Sequence, residues 1–336
     1  MNNMMLTKPE KLVFRELSSD SRITTLELSR KLNISRYNIN NIIRSLEQKL
    51  KLKYTLELDY KKLGFTTMHA LYFKFSKKPK ITTLKTLLSK STHIQFFALT
   101  NGDFDAFAFA LAKDPVEYSH LEVAFQASLL DYKTEVKSAE ITKMRFGFLP
   151  ISNKLLELSD IDEIYKQIIL KLNENSRITI LDLSKQLKMS TEAMGYYLRK
   201  IHDEKLIKRF TAVATYPIYK ASFASFISYR ISNKILSRIE KERNELYFKE
   251  PDYIEEANNI QAMWSAIGAS QAFIMGSFNS SEECRNFIGR HNDIYKPDNP
   301  KVEYAEISDI LVGNILFRNL KVKDNYDTTS WPIELK

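Results

Sequence analysis

The sequence is poor in the residues that most catalytic and metal-binding motifs require. It has one cysteine, Cys284, which excludes an internal disulfide framework and any cysteine-cluster metal or iron–sulfur site. Its 8 glycines are about a third of the usual ~7%, and no dinucleotide-binding or P-loop glycine motif occurs, so a glycine-rich phosphate cradle is excluded. The five histidines (His69, His93, His120, His202 and His291) never stand three or four residues apart, so no helical metal-ligand pair is written in the sequence. GxSxG, HExxH and CxxC are absent as well. No uncharged apolar run approaches the ~20 residues of a membrane span, and MNNMMLTKPEK lacks the apolar segment of a signal peptide. The expectation is a soluble, cytoplasmic protein without membrane partner, metal or resident cofactor, and not an enzyme.

What is present is charge, unevenly placed. The net charge is +9, and all of it lies in the first half: residues 1–150 hold 24 Lys+Arg against 15 Asp+Glu, residues 151–336 hold 26 against 26. A basic half-chain suits a polyanion, because each neutralised phosphate releases counterions. At 336 residues the chain has the length of about two domains of roughly 150 residues.

A repeat explains that length. SRITTLELSRKLNIS (Ser21–Ser35) recurs as SRITILDLSKQLKMS (Ser176–Ser190), with nine of fifteen positions identical at an offset of 155 residues. YTLELDYKKLGF (Tyr54–Phe65) parallels FTAVATYPIYKASF (Phe210–Phe223) more weakly. A period this long points to a repeated module rather than a solenoid unit.

In copy 1 the pattern predicts helices at Pro9–Ser19, Leu26–Leu32 and Arg36–Leu50. The third is capped by Ser35, and its Ile39, Ile42, Ile43 and Leu46 fall on one face. This is helix-turn-helix organisation. Lys53–Asp59 alternates like a short strand or wing. The period then predicts strands at Met68–Ser76, Ile94–Thr100, Phe104–Ala112 and Tyr132–Ile141 and helices at Thr82–Ser91 and Pro115–Leu130, with a turn at Asn101–Asp103. The order βαββαβ is ferredoxin-like. Copy 2 follows the same plan, with helices through Asp160–Lys205, a long helical segment Lys234–Asn259 broken at Pro251, and a helix Ser281–Tyr295. Its strands are predicted at Phe223–Ile231, Ala262–Ile267, Ala272–Phe278 and Val302–Ile307. The fold class is therefore α+β, two tandem copies of a winged helix-turn-helix (8–62 and 158–216) and a ferredoxin-like domain (66–145 and 221–312), with a tail at 313–336 expected either to be loosely held or to pack as an arm.

This arrangement resembles the Lrp/AsnC (leucine-responsive, feast/famine) regulators. The carrying residues are IDEIYKQIILKLNENSRITILDLSKQLKMS (Ile161–Ser190), SRITTLELSRKLNIS, the linker-like YTLELDYKKLGF and TNGDFDAFAF (Thr100–Phe109). The resemblance implies transcription regulation, double-stranded DNA as partner, and ferredoxin-like domains that dimerise and bind amino-acid-like effectors. The family's usual member has one copy, so two copies imply an intramolecular pseudo-dimer, with further homo-oligomerisation open. Together with a composition rich in Lys, Asn and Ile, it points to an archaeal source.

A helix-turn-helix places its second helix in the major groove. With the apolar face of Arg36–Leu50 inward, Tyr37, Asn41, Arg44 and Gln48 lie opposite, Asn40 stands at the shoulder and Arg36 in the first turn. Arginine suits guanine, and Asn or Gln suits adenine. Ser35 and the first-turn N–H groups suit a phosphate, and Arg22, Arg30, Lys31, Lys51 and Lys53 can supply further phosphate contacts. In copy 2 the same register presents Glu192, Gly195, Tyr196, Arg199 and Asp203, of which only Arg199 keeps the role of Arg44. The resemblance also implies an effector site around Thr100, Gly102, Asp103 and Asp105, where a carboxylate could hold an amino group; ordinary hairpin-turn chemistry explains the same residues. Two alternatives stand beside a DNA-binding regulator. The sirohaem decarboxylases of haem biosynthesis are similar to this family, and a scaffold that has lost DNA readout would share the fold.

Overall fold

Local signals start the first three helices. Thr7 caps α1 (Lys8–Ser19) in a capping box with Glu10, and Pro9 stands in the first turn. Thr24 and Glu27 do the same for α2 (Thr25–Leu32). Asn33 then turns the chain through the left-handed region at φ 53°, a conformation asparagine tolerates better than most residues. Ser35 caps α3 (Arg36–Leu50), its hydroxyl accepting the Asn38 N–H. Val13, Phe14, Leu17, Leu28, Ile39 and Leu46 are fully buried between the three helices.

The computed structural model describes residues 6–214, 221–228, 260–278, 280–295 and 301–313. After α3 come β1 (Leu52–Leu58), β2 (Thr67–Phe75), α4 (Ile81–Lys90), β3 (Ile94–Gly102), β4 (Ala106–Ala112), α5 (Pro115–Ser128) and β5 (Thr134–Phe146). A one-turn helix α6 (Asn153–Leu156), absent from the sequence pattern, leads into α7 (Glu163–Glu174), α8 (Ile180–Gln186), α9 (Thr191–Asp203) and β6 (Ile207–Ala214). Then follow β7 (Ala221–Ser228), β8 (Ile260–Gly268), β9 (Ala272–Phe278), α10 (Ser281–Tyr295) and β10 (Lys301–Val312). The predicted helix at Lys234–Asn259 and the tail beyond Gly313 lie outside the described residues.

Each half has the strand order expected of its βαββαβ pattern, β5-β2-β4-β3 in the first and β10-β7-β9-β8 in the second. The two sheets are not separate domains. β5 pairs with β8 and β10 pairs with β3, which closes all eight strands into one barrel. This pairing explains why β3 and β10 run past their predicted ends, because each has a partner in the other half. It also leaves neither sheet with a free edge. Phe96, Phe107, Phe109, Phe226, Trp264 and Phe273 fill the interior, each at 0% exposure. Rings from the two halves touch directly, as Phe109 does Trp264 at 4.5 Å and Tyr72 does Phe226 at 4.2 Å.

The segment after α3 does not form a wing hairpin inside its own copy. β1 pairs antiparallel with β6 of the second copy, and the ribbon is centred on Thr55 facing Thr211. The helices cross over it: Ala212 and Ala214 of β6 complete the core of α1–α3, and Leu56 and Leu58 of β1 join the core that holds α7–α9. Two hydroxyls lock the crossing. Thr211 donates to the Ser18 carbonyl at 2.7 Å, and Thr55 to the Asn173 side chain at 2.7 Å.

Candidate nucleic-acid interface

The packing of α3 decides which of its side chains face outward. Ile39, Ile43, Leu46 and Leu50 go into the core, as their spacing requires. Arg36, Tyr37, Asn40, Asn41, Arg44 and Gln48 are exposed, Tyr37 at 75%. Among the described residues no hydrogen bond or ion pair engages these six side chains, so their donors and acceptors are available to a partner. Beside them a groove of about 600 Å³ runs between the start of α1 and the α2–α3 turn, bordered by Pro9, Asn33, Ser35, Asn38 and Asn41.

A buried carboxylate holds the helix in this pose. Glu10 of α1 accepts from Lys49 Nζ at 2.6 Å and Ser45 Oγ at 2.8 Å on α3, and from the Thr7 N–H at 2.8 Å. Burial alone would raise the Glu10 pKa; the Lys49 ammonium and the Thr7 and Ser45 donors outweigh it and hold the pKa down at about 2. A carboxyl whose folded pKa lies below its unfolded value of 4.5 stabilises the fold above that value and loses the contribution as pH falls toward about 2. Glu10→Gln is expected to cost about 2 kcal/mol at pH 7, from the lost ion pair with Lys49 and the weakened charged hydrogen bonds. Urea unfolding of the two proteins at pH 7 and pH 3 checks it. The difference shrinks at pH 3; an equal difference at both would refute the ionic role.

Arg22 is placed differently from the expectation. Its Nε donates to the Ser176 carbonyl at 2.8 Å and its guanidinium lies 4.2 Å from the centre of the Phe210 ring, both in the second copy. It is committed to the seam between the copies rather than to an outward face. Arg177 answers it across the ribbon, 5.0 Å over the Tyr54 ring. Between them the buried Ser21 and Ser176 hydroxyls hydrogen-bond at 2.6 Å. The first serine that the repeat keeps identical thus meets its counterpart, and the arginine that follows it reaches into the other copy, roles that sequence reasoning missed although their identity was the available signal.

A family model described as winged helix-turn-helix DNA-binding matches residues 7–49. An uncharacterised HTH-type transcriptional regulator of Pyrococcus furiosus is 26% identical over 135 residues, 35% of this chain and 90% of the relative. A second, from Pyrococcus abyssi, is 27% identical over 111 residues, 33% of this chain and 75% of the relative. The matched helix-turn-helix, the strand that leaves it and the β5-β2-β4-β3 sheet order stand together in one copy. Residues 7–49 are thus similar to winged helix-turn-helix DNA-binding domains. Among solved structures, the sirohaem decarboxylase NirDL superposes on 92% of it, and on 94% of its own chain, with a TM-score of 0.57 at 12% identity. At that identity the likeness is one of fold, and it extends over both copies. LrpC of Bacillus subtilis, 24% identical, covers 42% of this chain and 96% of its own with a TM-score of 0.35.

The second helix-turn-helix presents another chemistry. Ser190 caps α9, and Glu192 in its first turn is held ionised by the helix-start backbone N–H and the Ser190 hydroxyl, which lower its pKa. Glu192, Tyr196, Arg199 and Asp203 are exposed. A Cβ at Gly195 would lie 3.7 Å from the Arg199 guanidinium, so that side chain runs back along its own helix.

The four turn residues are brought together at the barrel seam, where their polar atoms serve backbone. Thr100 Oγ1 donates to the Phe104 carbonyl at 2.6 Å. Asp105 accepts the Phe75 N–H at 2.9 Å and pairs with Lys78 at 3.2 Å. Asp103 accepts the Tyr304 N–H at 3.0 Å and returns its own N–H to the Tyr304 carbonyl. Gly102 lies at φ +150°, and a Cβ there would stand 2.6 Å from the Tyr304 carbonyl oxygen. Glycine is what allows β10 to approach this closely. The described residues contain no group of three or more His, Cys, Asp or Glu able to hold a metal, and no helix long and apolar enough to cross a membrane.

Proposed function

We propose that the chain is a DNA-binding transcription regulator in which α3 of the first copy enters the major groove. The observation that carries this is the exposed, uncommitted face of Arg36, Tyr37, Asn40, Asn41, Arg44 and Gln48 on the basic half of the chain. Arg44, Asn41 and Gln48 read base edges. Arg30, Lys51 and the first-turn N–H groups beside Ser35 hold phosphates. The α9 face carries Glu192 and Asp203 against one free arginine, so the second copy assists weakly and its main role is to position the first. An amino-acid-like effector, if one is used, meets Asp103, whose carboxylate is exposed and only partly engaged.

A salt titration on genomic fragments, including the gene's own upstream region, tests this reading. The expected result is affinity that falls linearly in log–log form with salt, and one fragment that outcompetes bulk DNA by ~10³ or more. Absence of binding at low salt would refute it.

A second reading, a sirohaem decarboxylase-like enzyme, is favoured by one observation, the fold shared with NirDL over both copies. Against it, the barrel interior is filled by aromatic side chains at 0% exposure, which leaves no room there for a tetrapyrrole. Titrating sirohaem and following its visible absorption decides between them: a saturable shift with carbon dioxide release would support the enzyme.

A further inference from the structure

The two halves are related by a pseudo-twofold axis, and the barrel registers show which residues it exchanges. Ala139 faces Gly268 across one seam and Ala305 faces Gly102 across the other. Ala139 therefore corresponds to Ala305, and two residues earlier on the same face Lys137 corresponds to Glu303. A second register agrees, since Lys137 lies opposite Tyr72 on β2 and Glu303 opposite Phe226 on β7. Tyr72 and Phe226 correspond as well, and their rings stack at 4.2 Å. Lys137 and Glu303 point inward at this mouth of the barrel, and Lys137 Nζ bonds Glu303 Oε1 at 2.8 Å. Positions that the axis exchanges therefore touch each other, and here they carry opposite charges.

Elsewhere on the axis the partners are alike: Ser21 meets Ser176 and Thr55 meets Thr211. Those contacts form equally well between two first copies or two second copies of different chains. The charged pair does not. Joining first copy to first copy would set two Lys137 ammonium groups together beside two Tyr72 rings, each keeping only its own Glu135 at 3.9 Å, and joining second to second would oppose two Glu303 carboxylates, each keeping its own Lys301 at 3.2 Å; either way the 2.8 Å bond between the copies is replaced by a like-charge contact. Glu303 is 14% exposed and Lys137 30%, so water screens the repulsion only in part. A like-charge contact in such a setting discriminates against the wrong partner in addition to what the pair contributes to the right one.

We propose that Lys137 and Glu303 are the specificity element of assembly, directing each first copy to pair with a second copy and so closing the barrel within one chain. A polar pair on a symmetry axis selecting partner and register is a known use of such groups.

The test uses the full-length protein. Lys137→Glu and Glu303→Lys each place like charges across the mouth. Each variant refolded alone unfolds at lower urea than the unaltered chain, and combining both substitutions in one chain restores the midpoint. Differently tagged Lys137→Glu and Glu303→Lys chains are then refolded together from urea. Position 137 of each now has its opposite charge at position 303 of the other, so a two-chain species carrying both tags is expected, about tenfold more abundant than from two tagged unaltered chains. Native mass spectrometry counts it. If a single variant does not fold alone, recovery of folded protein on mixing is the same readout. Midpoints that stay unchanged, or a mixture that yields no more two-tag species than the unaltered chains, overturn the proposal.

Discussion

Arg44→Ala is expected to weaken specific DNA binding by about ten- to a hundredfold, or about 1–3 kcal/mol, and to relax base preference at one position of the site. Arg199→Ala at the corresponding place in the second copy is expected to change affinity less than threefold. The asymmetry follows from the neighbours of the two arginines. Arg44 stands among Asn41, Gln48 and Asn40, neutral groups able to pair with base edges, on a helix with no acidic residue in its first turn. Arg199 stands among Glu192, Tyr196 and Asp203, and Glu192 in the first turn opposes the phosphate that the start of α9 would otherwise attract. Fluorescence anisotropy on the best fragment at fixed salt measures both variants. Equal losses would show that the two helices contribute alike.

Trp264→Ala carries the largest expected cost in stability. Trp264 is fully buried in the barrel, 4.5 Å from Phe109 of the other half and 5.3 Å from Phe273. Truncating a tryptophan in a packed core costs about 3–5 kcal/mol, a large part of a total stability of about 5–15 kcal/mol. The consequence is not confined to the second half. Strands β3 and β5 of the first half end at seams made with β10 and β8, so a cavity at Trp264 loosens both halves together. Hydrogen exchange is therefore expected to quicken in β4 as much as in β8, and the α1–α3 amides, whose core is separate, are expected to change least. Exchange that quickens in the second half alone would show that the halves unfold independently.

Legibility in the sequence tracked the range of the interactions. The predicted α3, Arg36–Leu50, coincides with the observed helix, because its start is a serine cap and its buried face is a local period. The same holds for β9 at Ala272–Phe278 and α10 at Ser281–Tyr295. β10 continues to Val312 rather than Ile307, and β3 to Gly102 rather than Thr100, because their extra residues pair across a seam. The outward face of α3 was readable from the same period that buries Ile39 and Leu46. Arg22 was not, because nothing near it in sequence announces that Phe210 and the Ser176 carbonyl will stand beside it. Glu10 belongs to the same class: its capping role with Thr7 is local, whereas its bond to Lys49 depends on how α1 lies against α3.

The sequence by itself determined the module plan, the helix-turn-helix, the side chains α3 offers and the basic half-chain that offers them. These depend on caps, periods and counts, which neighbouring residues set among themselves. Only the tertiary structure decided that the repeated Ser21 and Ser176 meet, that β1 pairs with β6, and that two sheets become one barrel with Lys137 facing Glu303. A strand's hydrogen bonds carry no label for their partner, and a symmetry axis exists only once both copies are folded against each other.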